Sequence, residues 1–406
     1  MNGVGREGCV RIALFNYHYD IQGSARGAAA QLHSMADALR RRGHQVELVF
    51  RAARKEPSVH FPDASGEPWR RNPALRRFGH VPKLLARNVP FYAQELKILD
   101  RIRPDLLMAV HQYCNVSPLL AARRKRIPCV LFIETPMVYE YSLFYRDYHP
   151  YLFIGRKLET LCVDRAEGVI TVSEVLKGYL AGSGAAAERI RVIPNGVDET
   201  RFRPRPPDET LRRGLALEDR KVVGFVGTFQ FFVDVPRFMS LVETVCTRVK
   251  DAVFLFVGAG GPSAAIRDEA KRRGLGERVR FAGMVEHRDV PRYLSLMDVA
   301  VCPYRGDYLF YGSALKPLEY MAAGKAVVAP ALGQIRELIH DGFNGLLHAW
   351  DDHHAMAEAV IRLLEDSGLR ALLGANARST IERGWTWDIQ VGRMETVFRE
   401  ALSKRS

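Results

Sequence analysis

Apolar positions along this chain fall into short runs separated by helix-length stretches. The first run, VRIALFNYHY (10–19), reads as a strand, and in the segment after it Leu32, Met35, Ala36 and Leu39 recur at helical spacing. Gly43 stops that helix, and QVELVF (45–50) follows as a second strand. DLLMAV (105–110), PCVLFIE (128–134), GVITVS (168–173) and IRVIPNG (190–196) continue the alternation. Strands that alternate with helices predict a parallel sheet. The stretch 195–210 carries three prolines and many charges and reads as a linker. A second alternation then runs through KVVGFVG (221–227), AVFLFVG (252–258), VRFAG (279–283), VAVCPY (299–304), AVVAP (326–330) and NGLLH (344–348). The expected fold class is therefore α/β, with two Rossmann-like parallel-sheet domains facing across a cleft. The expected bounds are 1–197 and 198–384, with the amphipathic terminal helix 385–406 packing back on the first domain. Open parallel sheets bind ligands at the carboxyl ends of their strands, which puts the expected active site in the cleft.

The most informative stretch is Tyr311–Leu347. It reads as a loop, a helix opening near Ala314–Leu315, a buried strand and a glycine-rich turn. Helix N-termini attract phosphate because their first N–H groups lack partners within the helix. Glu319 falls a little over one turn inside this helix, where a carboxylate can accept from the vicinal hydroxyls of a ribose. The pairing suggests a pocket for a nucleoside diphosphate; the alternative is an acid that merely complements the helix dipole.

Length and charge refine this picture. At 406 residues the chain is too long for one ordinary core. No stretch approaches the roughly 18 uninterrupted apolar residues of a membrane span, and the N-terminus does not read as a signal peptide. The six cysteines are scattered without a C-x-x-C pair, which suits a reduced cytoplasm and not a metal site. The net charge is +13; residues 1–200 carry 29 Lys/Arg against 20 Asp/Glu, and the remainder 30 against 26. Within 68–104, Arg70, Arg71, Arg76, Arg77, Lys83 and Arg87 stand among Trp69, Leu75, Phe78, Leu84 and Leu85. A basic face beside an apolar one suits an anionic membrane surface or an anionic substrate; the bland alternative is a solvated helix face. Nothing resembles a base-reading module, so nucleic acid is not an expected partner.

Several familiar chemistries are absent. FLFVGAGGPSAAI supplies Gly258 and Gly260, but Ser263 stands where a dinucleotide fingerprint needs its third glycine. There is no D-x-D pair to clamp a metal–pyrophosphate complex, no P-loop, and no G-x-S-x-G. At the first strand–helix turn, Gly23 and Gly27 allow a phosphate or sugar to approach the backbone, although glycine there is often only a turn residue.

RGHQVELV, ITVSEVLKGYL, IRVIPNGVDETRFRP, VGFVGT, FLFVGAGG, LSLMDVAVCPY, LKPLEYMAAGKAVVA and ELIHDGFNGLL stand in one order along the chain. In this they resemble family 4 of the retaining glycosyltransferases, which adopt the GT-B fold. The resemblance covers nearly the whole length. It implies transfer of a sugar from a nucleotide-diphosphate donor with retention, without an essential metal or other cofactor. By position, Glu319 resembles the family's ribose-binding glutamate. Gly227, with Thr228 beside it, and Gly27 match glycines that face the donor phosphates. The backbone of Ser313, Ala314 and Leu315 would meet phosphate and sugar, and Met284 and Val285 stand near the base.

The departures from the family pattern bear on mechanism. Relatives commonly carry glutamates eight residues apart, but the first position here is Tyr311, in a Y-G-S-x-L-K-x-L-E-Y-M-A branch. The Arg and Lys that many relatives use against the pyrophosphate fall near Thr228 and Val233, so both charges are missing. Lys316 and Arg26 are the candidates to replace them; exposed surface roles are the alternative for each. Glu134 stands where a histidine often follows the strand. It either binds a sugar hydroxyl or orients the acceptor, or it pairs structurally with an arginine. His111, at the end of DLLMAV, is either an acceptor contact or a satisfied core histidine. No general base is expected, because the donor phosphate can take the proton. The expected acceptor is a saccharide or lipid-linked saccharide in cell-envelope polysaccharide assembly, handled by a cytoplasmic protein peripheral to the membrane's inner face. A small soluble acceptor, a phosphorylase of the same fold and a non-catalytic sugar-nucleotide binder are the alternatives.

Overall fold

The computed structural model describes residues 8–16, 26–50, 73–144, 149–227, 233–313 and 315–404. The chain forms two compact units. The first comprises Met1–Asn195, Tyr311–Ser313 and Trp387–Ser406; the second comprises Gly196–Phe310 and Ala314–Thr386.

The first unit holds β1 (Arg11–Asn16), β2 (Gln45–Phe50), β3 (Leu106–Val110), β4 (Cys129–Ile133), β5 (Gly168–Thr171) and β6 (Ile190–Val192). They form one parallel sheet in the order β2-β1-β3-β4-β5-β6. Every residue of β3 and β4 is buried, which is why both read as unbroken apolar runs. The helix Trp387–Ser403 seals this core with Trp387, Val391, Met394 and Phe398. Its Glu395 takes a two-pronged ion pair from Arg42, with Nε at 2.6 Å and the second guanidinium nitrogen at 2.9 Å. His44 Nε2 lies 3.1 Å from the same carboxylate.

The second unit holds β7 (Lys221–Val226), β8 (Ala252–Val257), β9 (Val279–Gly283), β10 (Val299–Val301), β11 (Ala326–Pro330) and β12 (Leu346–His348). Its parallel sheet runs β12-β11-β10-β7-β8-β9. Side chains of β8 alternate between the two faces: Phe254 and Phe256 pack with Phe238, while Leu255 and Val257 pack with Tyr320 and Phe202. Both faces are covered, as a parallel sheet requires.

The stretch read from sequence as a linker is folded. Val197 bridges to Thr386, and Phe202 is 1% exposed in the core of the second unit. One Arg378 guanidinium nitrogen donates to the carbonyls of Glu199, Phe202 and Ala322, at 3.0, 2.7 and 2.8 Å. Prolines and charges at 195–210 mark an irregular backbone, and its two apolar anchors decide that it packs. The expected strand at 10–19 extends beyond the described part of β1, and residues 17–19 lie outside the described residues. Among the described residues, no helix is long and apolar enough to cross a membrane.

Candidate active site

In the second unit, the helix Leu315–Ala322 is pinned to the carboxyl end of β7 by one side chain. The Tyr320 hydroxyl accepts from Val226 N–H at 2.7 Å and donates to its carbonyl at 3.2 Å. Tyr320 is fully buried, and burial raises its phenol well above the ordinary value, so it stays protonated. The helix therefore starts beside the glycine that follows β7. Leu315 and Lys316 bring first-turn N–H groups, whereas Pro317 has none to leave unpaired.

Gly227 has φ +138°, in the region that favours glycine. A β-carbon there would stand 2.0 Å from Lys316 Cε and 3.0 Å from its Nζ. The Lys316 side chain thus lies directly against the Gly227 backbone. Its ammonium is 5.7 Å from the ring centroids of both Phe225 and Tyr304. Burial lowers the Lys316 pKa, while the charge of Glu319 pulls it back up. A desolvated cation beside glycine and a helix start is the arrangement an anionic phosphate needs. Gly258, after β8, closes the same end of the sheet: a β-carbon on it would stand 2.1 Å from the Gly227 carbonyl oxygen.

Glu319 lies one turn further along the helix. Its Oε1 is 2.7 Å from His287 Nε2, and both side chains are largely buried. Burial lowers the imidazole pKa, but the hydrogen bond and charge of Glu319 outweigh it and leave His287 above its ordinary value. Val285, two residues before His287, is half-buried against the same core, and Met284 is exposed. Val233 is buried in the core facing Phe238. Thr228 and Ala314 lie outside the described residues.

Tyr311 and Ser313 were expected with the second domain, yet they cluster with the first unit. There they join polar networks at the carboxyl ends of its strands. Ser313 Oγ accepts from Asn195 N–H at 3.0 Å, so this hydroxyl already has a protein donor. Gln31, from the helix Arg26–Arg41, donates through Nε2 to Glu134 Oε1 at 2.5 Å and to Asn195 Oδ1. The Tyr311 hydroxyl donates to Glu140 Oε1, and the Tyr311 carbonyl accepts from Ser173 Oγ. Burial pushes the Glu140 carboxyl up to about 7, against the pull of the Tyr311 hydroxyl. Glu134 and Ser313 therefore share one network through Gln31 and Asn195, and Tyr311 makes a second with Glu140 and Ser173; the sequence did not single out Gln31, Asn195 or Glu140.

The remaining expected residues are Arg26, Gly27 and His111. Arg26 and Gly27 form the first turn of the helix Arg26–Arg41, and their side-chain surroundings lie outside the described part. His111 follows β3 and is buried, with Nε2 3.5 Å from Glu159 Oε1. Neither Glu159 oxygen has a hydrogen-bond partner among the described residues. Both members of this pair are buried.

Two family models match the chain: "Glycosyltransferase Family 4" over residues 25–201 and "Glycosyl transferases group 1" over 220–366. A lipopolysaccharide core biosynthesis mannosyltransferase, LpsB, from Rhizobium meliloti is 30% identical over 59% of this chain and 67% of its own length. The chain belongs to this glycosyltransferase family. A phosphatidyl-myo-inositol mannosyltransferase from Mycolicibacterium smegmatis is 29% identical over 94% of the chain and 91% of its own length. Other relatives align over little more than half of their own length. Among solved structures, Anabaena HepE in complex with UDP and glucose superposes with a TM-score of 0.71 at 20% identity, covering 96% of this chain and all of that one. That likeness establishes the GT-B fold of this glycosyltransferase.

Proposed function

We propose that the protein transfers a sugar from a nucleotide-diphosphate donor to an acceptor hydroxyl, with retention of anomeric configuration and no essential metal. The observation that carries this reading is the placement of Lys316 and Glu319 on successive turns of one helix. The ammonium sits where a pyrophosphate would meet Gly227 and the helix start, and the carboxylate sits where a ribose would follow. As the donor's C1–O bond breaks, negative charge grows on the nucleoside diphosphate. A preorganised cation in a desolvated setting stabilises that charge without reorganisation. Lys316 thereby takes the role of the cations absent near Thr228 and Val233. The acceptor oxygen forms the new bond to C1, and its proton passes to a donor phosphate oxygen, so no protein base is invoked.

The acceptor in this reading is a lipid-linked saccharide or lipid headgroup of the cell envelope, in line with what the two mannosyltransferase relatives are named for. The first unit supports it with an exposed face on the helix His149–Arg165, where Phe153 is 66% and Leu161 43% exposed. Lys157 stands between them, 5.5 Å from the Phe153 ring. The helix Pro73–Ile102 adds exposed Val89 and Lys83. Apolar tips beside lysines suit an anionic membrane surface. A thermal-shift screen against nucleoside diphosphates and their sugars tests the reading. A donor raises the melting temperature with concentration as RT ln(1 + [L]/Kd), and a panel that moves nothing contradicts it.

A further inference from the structure

NGVDETRFRP (195–204) is part of the family resemblance, yet the catalytic reading gives it no task. In the structure, Asp198 Oδ1 accepts from the N–H of Thr200 at 3.1 Å and of Arg201 at 3.0 Å, closing a tight turn. The Thr200 hydroxyl adds a third bond to the same oxygen at 2.7 Å. This turn aims Arg201 at His287, with a guanidinium nitrogen 3.5 Å from Nδ1. The next residue, Phe202, puts its ring centroid 5.4 Å from the imidazole's. The far nitrogen, Nε2, is 2.7 Å from Glu319 Oε1. One imidazole is thus held on its edge, its face and its tip.

The tautomer follows from the donors. A guanidinium only donates, so Arg201 favours a lone pair on Nδ1 and leaves the proton on Nε2, directed at Glu319. A carboxylate accepts at both oxygens. His287 occupies Oε1, and no other described residue hydrogen-bonds the Glu319 carboxylate, so Oε2 stands open.

We propose that His287 is a positioning residue for the nucleotide's ribose, and that the Asp198–Phe202 turn exists to hold it. His287 fixes the Glu319 carboxylate so that Oε2 accepts from the vicinal hydroxyls of a bound nucleoside diphosphate. The inference rests on the reading of Glu319 as the ribose acceptor.

Calorimetry with the full chain tests it, using UDP and GDP against their 2′,3′-dideoxy counterparts. A charge-assisted hydrogen bond predicts that the wild type prefers the ribose form about tenfold or more. Glu319→Gln should remove most of that preference. His287→Phe keeps the ring against Phe202 but cannot donate. It should cut the preference to about threefold or less while leaving the dideoxy affinity unchanged. His287→Gln, which returns an N–H near Nε2, should restore part of it. A full ribose preference in His287→Phe, or equal weakening of both forms, overturns the inference while leaving the Glu319 reading intact. A wild type without ribose preference, or a Glu319→Gln variant that keeps it, removes the Glu319 reading and this inference together.

Discussion

The Lys316 side chain occupies the space that a β-carbon on Gly227 would fill, 2.0 Å from Cε. The two positions are therefore coupled. Gly227→Ala should lower stability by about 1–3 kcal/mol, because φ +138° is strained for a residue with a side chain and the lysine must also move. Removing the lysine relieves the second cost but not the first. The double variant Gly227→Ala, Lys316→Ala should be more stable than the sum of the single effects by about 0.5 kcal/mol or more. Denaturant titrations of the four proteins measure this, and strict additivity would mean that the contact carries no strain.

The His287–Glu319 hydrogen bond gives stability a pH dependence of known sign. His287 has a folded-state pKa above its unfolded value, so the increment that its positive charge adds to the pair is fully present below the unfolded pKa, about 6.5, and is lost as pH rises through the folded one, while the neutral ring keeps its Nε2–H on Glu319. The difference in melting temperature between the wild type and His287→Phe, taken from about pH 6 to pH 9, should narrow toward the alkaline end. A constant difference across that range would show that the pair is not coupled to protonation.

Glu140 offers a second titration. Its folded carboxyl, raised to about 7, holds a proton that the unfolded chain releases near pH 4.3. Native stability should therefore fall as pH rises between those values, as the buried carboxyl is forced to ionise. Glu140→Gln keeps an acceptor for Tyr311 and cannot ionise. Relative to the wild type it should gain stability from about pH 5 to pH 8. Parallel stability curves would contradict the assignment.

Membrane attraction is tested by vesicle sedimentation. Binding to phosphatidylglycerol-containing vesicles should exceed binding to phosphatidylcholine alone and should weaken with salt. Phe153→Asp and Lys157→Glu should each reduce it severalfold without changing the melting temperature, since both side chains are exposed. Equal binding of these variants would place any membrane contact elsewhere.

Much of the fold was legible because short strand-like runs alternate with helix-length segments along the chain: QVELVF, VRFAG and AVVAP match β2, β9 and β11 residue for residue. The helix carrying Glu319 was legible for the same local reason. Its partners were not. Gln31 meets Glu134 and Asn195 across 103 and 164 residues, and Tyr311 meets Glu140 across 171. No periodicity links residues so distant; the sheet topology brings them together. His287 opens a single 3-10 turn, His287–Asp289, after β9, where nothing in the neighbouring sequence marks a histidine as aimed at a carboxylate. Lys316 was legible as a candidate by its position, but its burial against Gly227 depends on Tyr320 docking the helix onto β7.

The central claim is that the Lys316 ammonium receives the pyrophosphate of a nucleotide donor. Calorimetric titration of UDP and GDP against UMP and GMP, into the wild type and Lys316→Ala, addresses it most directly. The account predicts that the second phosphate strengthens wild-type binding by about tenfold or more and that Lys316→Ala loses most of this gain. If the second phosphate strengthens binding equally in both proteins, or in neither, the account is contradicted.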